Sequence, residues 1–307
     1  MKPKFYKPFF FFLFVLIFTN CYAPGAEKGT AYRYKSSTRL APIPKPDKHT
    51  AAEFNAKSKA PRTTLQKNDT LNFSGFVTKN KHFLEKIIVP ALTPYIDSLK
   101  AMQPADAISE ITLYTHELYR TYFGRSFYRW GGDIFDLDDP QDKGVRHKYS
   151  FGLDCSGFTA MPYELAVYFG ILNPEKEEAL FSSAGFANYC RANNHKDSGG
   201  RNGTSNNYRL DTSDLIHLGR EIITIPKGGK PDSAQMAKLQ PGDIVGRNGH
   251  FGILVKIKGT LYYLESGGWV MPVSKGYPYR ADKALKIFAK NGPLMVRRCL
   301  PDLEKGS

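Results

Sequence analysis

The chain is short of acid, short of cysteine and without any long hydrophobic run. It has 307 residues, with 29 Asp and Glu against 43 Lys and Arg, for a formal charge of +14. So basic a balance points to an anionic partner: nucleic acid, a membrane surface or a cell-wall polymer. No basic helix and no strand with interleaved aromatics is present to read nucleic acid, which removes the first. The one apolar run near the start, residues 8–18, is too short to cross a bilayer. No internal repeat is found. Asp133, Asp136, Asp138, Asp139 and Asp142 form an acidic segment, but their spacing is not that of an EF-hand loop, and they read as a solvated loop without metal.

What is present begins with an export signal. Lys2, Lys4 and Lys7 precede the apolar run, a basic region followed by a short hydrophobic one. The run ends in Phe18-Thr19-Asn20-Cys21, a loose form of the motif in which a bacterial lipoprotein cysteine is lipidated. Simple cleavage after Cys21-Tyr22-Ala23 is the rival reading. The expected location is the periplasm or outer envelope, with a lipid anchor at Cys21. Residues 22–73 read as a basic disordered linker: residues 27–62 hold nine Lys or Arg and three Asp or Glu, and the alternating prolines Pro42, Pro44 and Pro46 keep the chain extended.

Folding is expected from about Leu71. Residues 79–102 carry Phe83, Ile87, Ile88, Leu92, Ile96 and Leu99 at helical spacing, with Pro90 and Pro94 predicting two short helices or a kink. Residues 105–123 form a second helical stretch, stopped by Gly124. A helix over 159–170 is expected to kink or restart at Pro162, and helices are also predicted over 180–193 and 211–219. The remainder reads as strands, at 221–225, 243–245, 250–257, 260–266 and 294–299, with a hairpin turn at Lys258-Gly259. Helices first and strands later predict an α+β fold with a largely antiparallel sheet.

The chemistry centres on residues 151–160. Asp154 is placed to cap a helix whose first turn holds Cys155. The positive end of a helix, together with an imidazole, turns a thiol into a nucleophile. Ser156 and Gly157 are small and leave backbone N–H groups open to an oxyanion. The competing reading of Cys155 is a small buried hydrophobe. His250 follows the Asn248-Gly249 turn and opens a strand, where it faces a helix start; the competing reading is an exposed loop histidine. Glu265, on the next strand, is the expected acceptor for the second imidazole nitrogen, with Tyr263 on the same face. The remaining cysteines, Cys190 and Cys299, are either a disulfide or two buried thiols.

Four blocks in this order, Tyr128-Arg-Trp-Gly-Gly132, Asp154-Cys-Ser-Gly-Phe158, Leu239-Gln-Pro-Gly-Asp243 and Gly249-His-Phe-Gly-Ile253, resemble the NlpC/p60 cysteine peptidases. The resemblance implies a papain-like fold with the catalytic cysteine at a helix N-terminus. It implies a cofactor-free, monomeric peptidoglycan hydrolase that cuts stem peptides at the D-glutamyl–diaminopimelate bond through a thioester. It makes Cys155, His250 and Glu265 catalytic, and assigns Tyr128, Trp130, Asp154 and Ser156 to substrate binding. The expected organisation is an export signal over 1–21, the linker over 22–73, a helical extension over 74–106 and a catalytic domain over 107–301, with insertions near 133–150 and 184–210. No SH3-like wall-binding module precedes it. The alternatives are an N-acetylmuramoyl-L-alanine amidase or acyltransferase of the same fold, and a non-catalytic wall-binding lipoprotein.

Overall fold

The computed structural model describes residues 40, 83–123, 153–172, 212–247, 249–266 and 278–301. The expected helix over 180–193, the acidic segment 133–142 and both insertions lie outside them. The fold is α+β, with a six-stranded antiparallel sheet in the order β1-β6-β2-β3-β4-β5. The strands are β1 (Arg220–Ile225), β2 (Ile244–Arg247), β3 (His250–Ile257), β4 (Thr260–Leu264), β5 (Tyr279–Arg280) and β6 (Leu294–Arg298). β2 and β3 are joined through Gly249 (φ +97°) and β3 and β4 through Lys258-Gly259. In the second turn both central residues have positive φ (49° and 78°), the geometry that matches strand twist in a two-residue hairpin.

Period-two alternation sends the strand residues to two separate cores. Ile244, Phe251, Ile253, Val255, Ile257 and Leu264 meet the helices α1 (Pro104–Phe123) and α2 (Cys155–Tyr168). Val245, Leu254, Tyr263, Leu294 and Val296 point the other way, onto α5 (Ala281–Ala289). Two short helices, α3 (Thr212–Leu215) and α4 (Ser233–Met236), flank β1 in sequence. α4 starts with a capping box between Asp232 and Gln235.

Three readings change. α4 and α5 occupy a stretch expected to hold strands. The signal for α5 was present, since Ala281, Ala284, Leu285, Phe288 and Ala289 are buried at the spacing of one helix face. α2 runs unbroken from Cys155 through Pro162 to Tyr168. The boundary at 106 falls inside α1, and Ile88, Leu92 and Leu99 share one core with Ile108, Phe158 and Ile253, so the helical extension packs into the same body. Leu40, the one described residue of the expected linker, is buried in that core with 6% exposure. Upstream of α1, the helical winding changes across Leu84–Ile88, Val89–Leu92, Thr93–Tyr95 and Ile96–Lys100, with Pro90 and Pro94 each near the start of a new winding, as proline interrupts the regular hydrogen-bond ladder.

Candidate functional site

Asp154 leaves the chain extended (φ −82°, ψ −174°), and its Oδ1 accepts from the Gly157 N–H and the Ser156 hydroxyl, both at 2.8 Å. That is an N-cap, and it makes Cys155 the first residue of α2, facing the positive end of the helix dipole. Cys155 is a free thiol with 5% exposure. Asp154 and Ser156 are themselves buried and bonded to each other, and together they set the helix start.

One hydrogen bond locks this helix to the strands that carry the rest of the site, and another, from α3, holds the turn before His250. The Tyr163 hydroxyl donates to the Gly242 carbonyl at 2.5 Å, tying α2 to the turn that enters β2. That turn is held in place by Asp243, whose carboxylate takes two hydrogen bonds from Arg298 (2.7 and 2.8 Å) and one from the Gln240 N–H at 2.9 Å. At the other end of β2, the Gly249 N–H donates to Thr212 Oγ1 at 3.0 Å, so α3 fixes the turn from which His250 emerges.

His250 is the first residue of β3, paired across the sheet with Arg247. Its Nε2 lies 2.5 Å from Glu265 Oε2, and Cys155 is near enough to add to the rise in the imidazole's pKa. With Nε2 engaged by the carboxylate, Nδ1 is the nitrogen left for the thiol. Burial by itself disfavours the charged imidazole, but the Glu265 charge, with Cys155 added, outweighs it and pushes the His250 pKa up to about 10. Glu265 lies just past β4. The pairing of Ile253 with Leu264 places it across from Gly252, on the same sheet face as His250. The expected triad residues are therefore brought together: the carboxylate bonds the imidazole, and the thiol lies close enough to influence its charge.

Several groups around the triad gave no sequence signal of their own. The Phe288 ring from α5 stands edge-on to His250, with centroids 5.5 Å apart, and against Tyr263 at 6.0 Å. The Arg247 guanidinium lies over Phe288, 5.0 Å from its centroid, with Nη1 buried. Tyr263, expected only to share the face of Glu265, donates its hydroxyl to Glu265 Oε2 at 3.2 Å. Burial, the Glu265 charge and Cys155 hold the Tyr263 hydroxyl protonated well past its ordinary range.

Tyr128, Trp130 and Cys21 lie outside the described residues, as does Cys190. Cys299 is disulfide-bonded. Of the other histidines within the description, His116 is buried on α1 against Phe158, and His217 is exposed. Among the described residues, no three His, Cys, Asp or Glu side chains are grouped to hold a metal, and no helix is long and apolar enough to cross a membrane. No protein-family model, curated protein or solved structure matches the chain.

Proposed function

We propose that this protein is a papain-like cysteine peptidase of the NlpC/p60 kind that hydrolyses peptidoglycan stem peptides. The observation that carries the reading is the buried line Cys155–His250–Glu265 at a helix start. With the proton already held on His250, Cys155 Sγ attacks the scissile carbonyl carbon. The tetrahedral oxyanion is met by backbone N–H groups at the start of α2, where the dipole favours negative charge. As the C–N bond breaks, His250 returns the proton to the leaving amine, and a thioester remains on Cys155. Water, deprotonated by His250, then attacks the thioester carbonyl. The acid leaves, with Cys155 a thiolate again and the proton on His250. Glu265 stabilises the imidazolium through both halves of the cycle.

The excess of basic residues suits an anionic wall polymer, and the N-terminal pattern ending at Cys21 suits an envelope protein held by lipid. The bond assigned is D-glutamyl–diaminopimelate. Mass spectrometry of muropeptides released from purified sacculi tests it: new glutamyl carboxyl termini are expected, absent with Cys155→Ala. Peptide-free glycan would mean an amidase, and digestion undiminished by Cys155→Ala would overturn the nucleophile.

A further inference from the structure

We propose that Tyr263 is a positioning residue that acts through Glu265, extending the line to Cys155–His250–Glu265–Tyr263. The inference rests on the reading of Cys155 as a nucleophile. The Tyr263 hydroxyl and His250 Nε2 converge on a single oxygen, Glu265 Oε2, at 3.2 and 2.5 Å. A carboxylate that accepts from two donors on one oxygen has its rotation about the Cγ–Cδ bond restrained, and the charge stays buried beside the imidazole.

The surroundings are arranged to hold the tyrosine in place. The ring is 1% exposed. It lies across Gly252, where an added Cβ would stand 2.6 Å from both Cε2 and Cζ of the ring. Phe288 packs on it from α5 and touches His250 with the same ring. The hydroxyl is thus aimed by one glycine gap and one aromatic wall. Among the described residues the Tyr263 hydroxyl is bonded to Glu265, and its influence passes through the carboxylate.

The test is the rate at which iodoacetamide alkylates Cys155 in the full chain at pH 7, with Cys155→Ser subtracting other thiols. Tyr263→Phe keeps the ring and removes one oxygen. It is expected to slow alkylation about tenfold, the size of one lost hydrogen bond to a charged group. In a Glu265→Ala background, the same Tyr263→Phe change is expected to do nothing further, because the group it acts through is gone. On a defined stem peptide, kcat is expected to fall with KM unchanged. Two results overturn the proposal: no slowing in Tyr263→Phe, or an equal slowing in both backgrounds, which marks a packing role. If Glu265→Ala and His250→Ala also leave alkylation unchanged, the nucleophile reading fails with it, and that outcome is distinct because the flat response then extends to the triad. Thermal melts of Tyr263→Phe and Glu265→Ala separate any of these from unfolding.

Discussion

Two buried acid–base pairs sit on the same sheet and have opposite uses. Asp243–Arg298 is closed: the guanidinium fills both carboxylate oxygens, takes the Lys238 carbonyl as well at 2.6 Å, and keeps its charge at any accessible pH. Glu265–His250 is open: one imidazole nitrogen meets the carboxylate and the other is turned toward a thiol. Burial and charge are alike in the two, with Asp243 at 0% exposure and Glu265 at 2%. The difference is that only the second cation can give up a proton and has a second edge to offer. Scaffold and site are separated by that property, and substitutions in each should fail in different ways.

The largest contrast is expected at the thiol. Cys155→Ala abolishes sacculus digestion with little change in melting temperature, and His250→Ala is nearly as severe. Asp243→Ala does the reverse. Leaving Arg298 buried without its carboxylate costs about 3–5 kcal/mol by chemical denaturation, while the folded fraction keeps its turnover. If Asp243→Ala instead leaves stability intact and removes activity, the division drawn between the pairs is wrong. Gly252→Ala should fall between them. Its methyl would lie 2.6 Å from the Leu264 carbonyl oxygen and from the Tyr263 ring, for about 1–3 kcal/mol of overpacking and a displaced tyrosine, read as lower melting temperature together with slower thiol alkylation.

A smaller effect is expected from acidity. His250 is raised to about 10 in the folded protein, so its contribution to stability is fully present below its unfolded value near 6.5 and is lost as pH rises through about 10. Glu265→Gln removes the charge responsible. The alkaline limb of activity should move down from near pH 10 toward neutrality, and the decline in melting temperature between pH 6.5 and 10 should flatten. An unchanged alkaline limb in Glu265→Gln would assign the raised histidine to something other than this carboxylate.

The closed pair also explains what was legible in the sequence. Pro241-Gly242-Asp243 announces a turn by residue type alone, and Asn248-Gly249 and Lys258-Gly259 announce two more, so β3 was readable to the residue at both ends. The His250–Glu265 spacing left the hairpin register open, and it is the pairing of Ile253 with Leu264 that puts Glu265 on the face of His250. Asp154 read as a cap because its chemistry is local. Phe288 and Arg247 were not readable. Each acts across the sheet through packing, and neither aromatic nor guanidinium carries a spacing rule that names its partner. α5 was missed for a different reason. Nine residues of clear helical period stand between two strands, and the strand-rich surroundings outweighed the period. Leu40 is the converse case, one apolar residue in a polar stretch, with no periodicity around it to mark its burial.

The hydrogen bond from Tyr163 to Gly242 joins chain segments 79 residues apart. Thiol and imidazole are likewise supplied from opposite sides of that span, so they meet only after the helix has docked and the β2–β3 hairpin has closed on it. Contacts of such sequence separation form late and slowly, because bringing distant parts of the chain together costs closure entropy before the contact repays it. Until then Cys155 is an unassisted side chain on an incomplete chain. The meeting of thiol and imidazole is a property of finished folding, and the link that braces the helix joins the two segments that carry them.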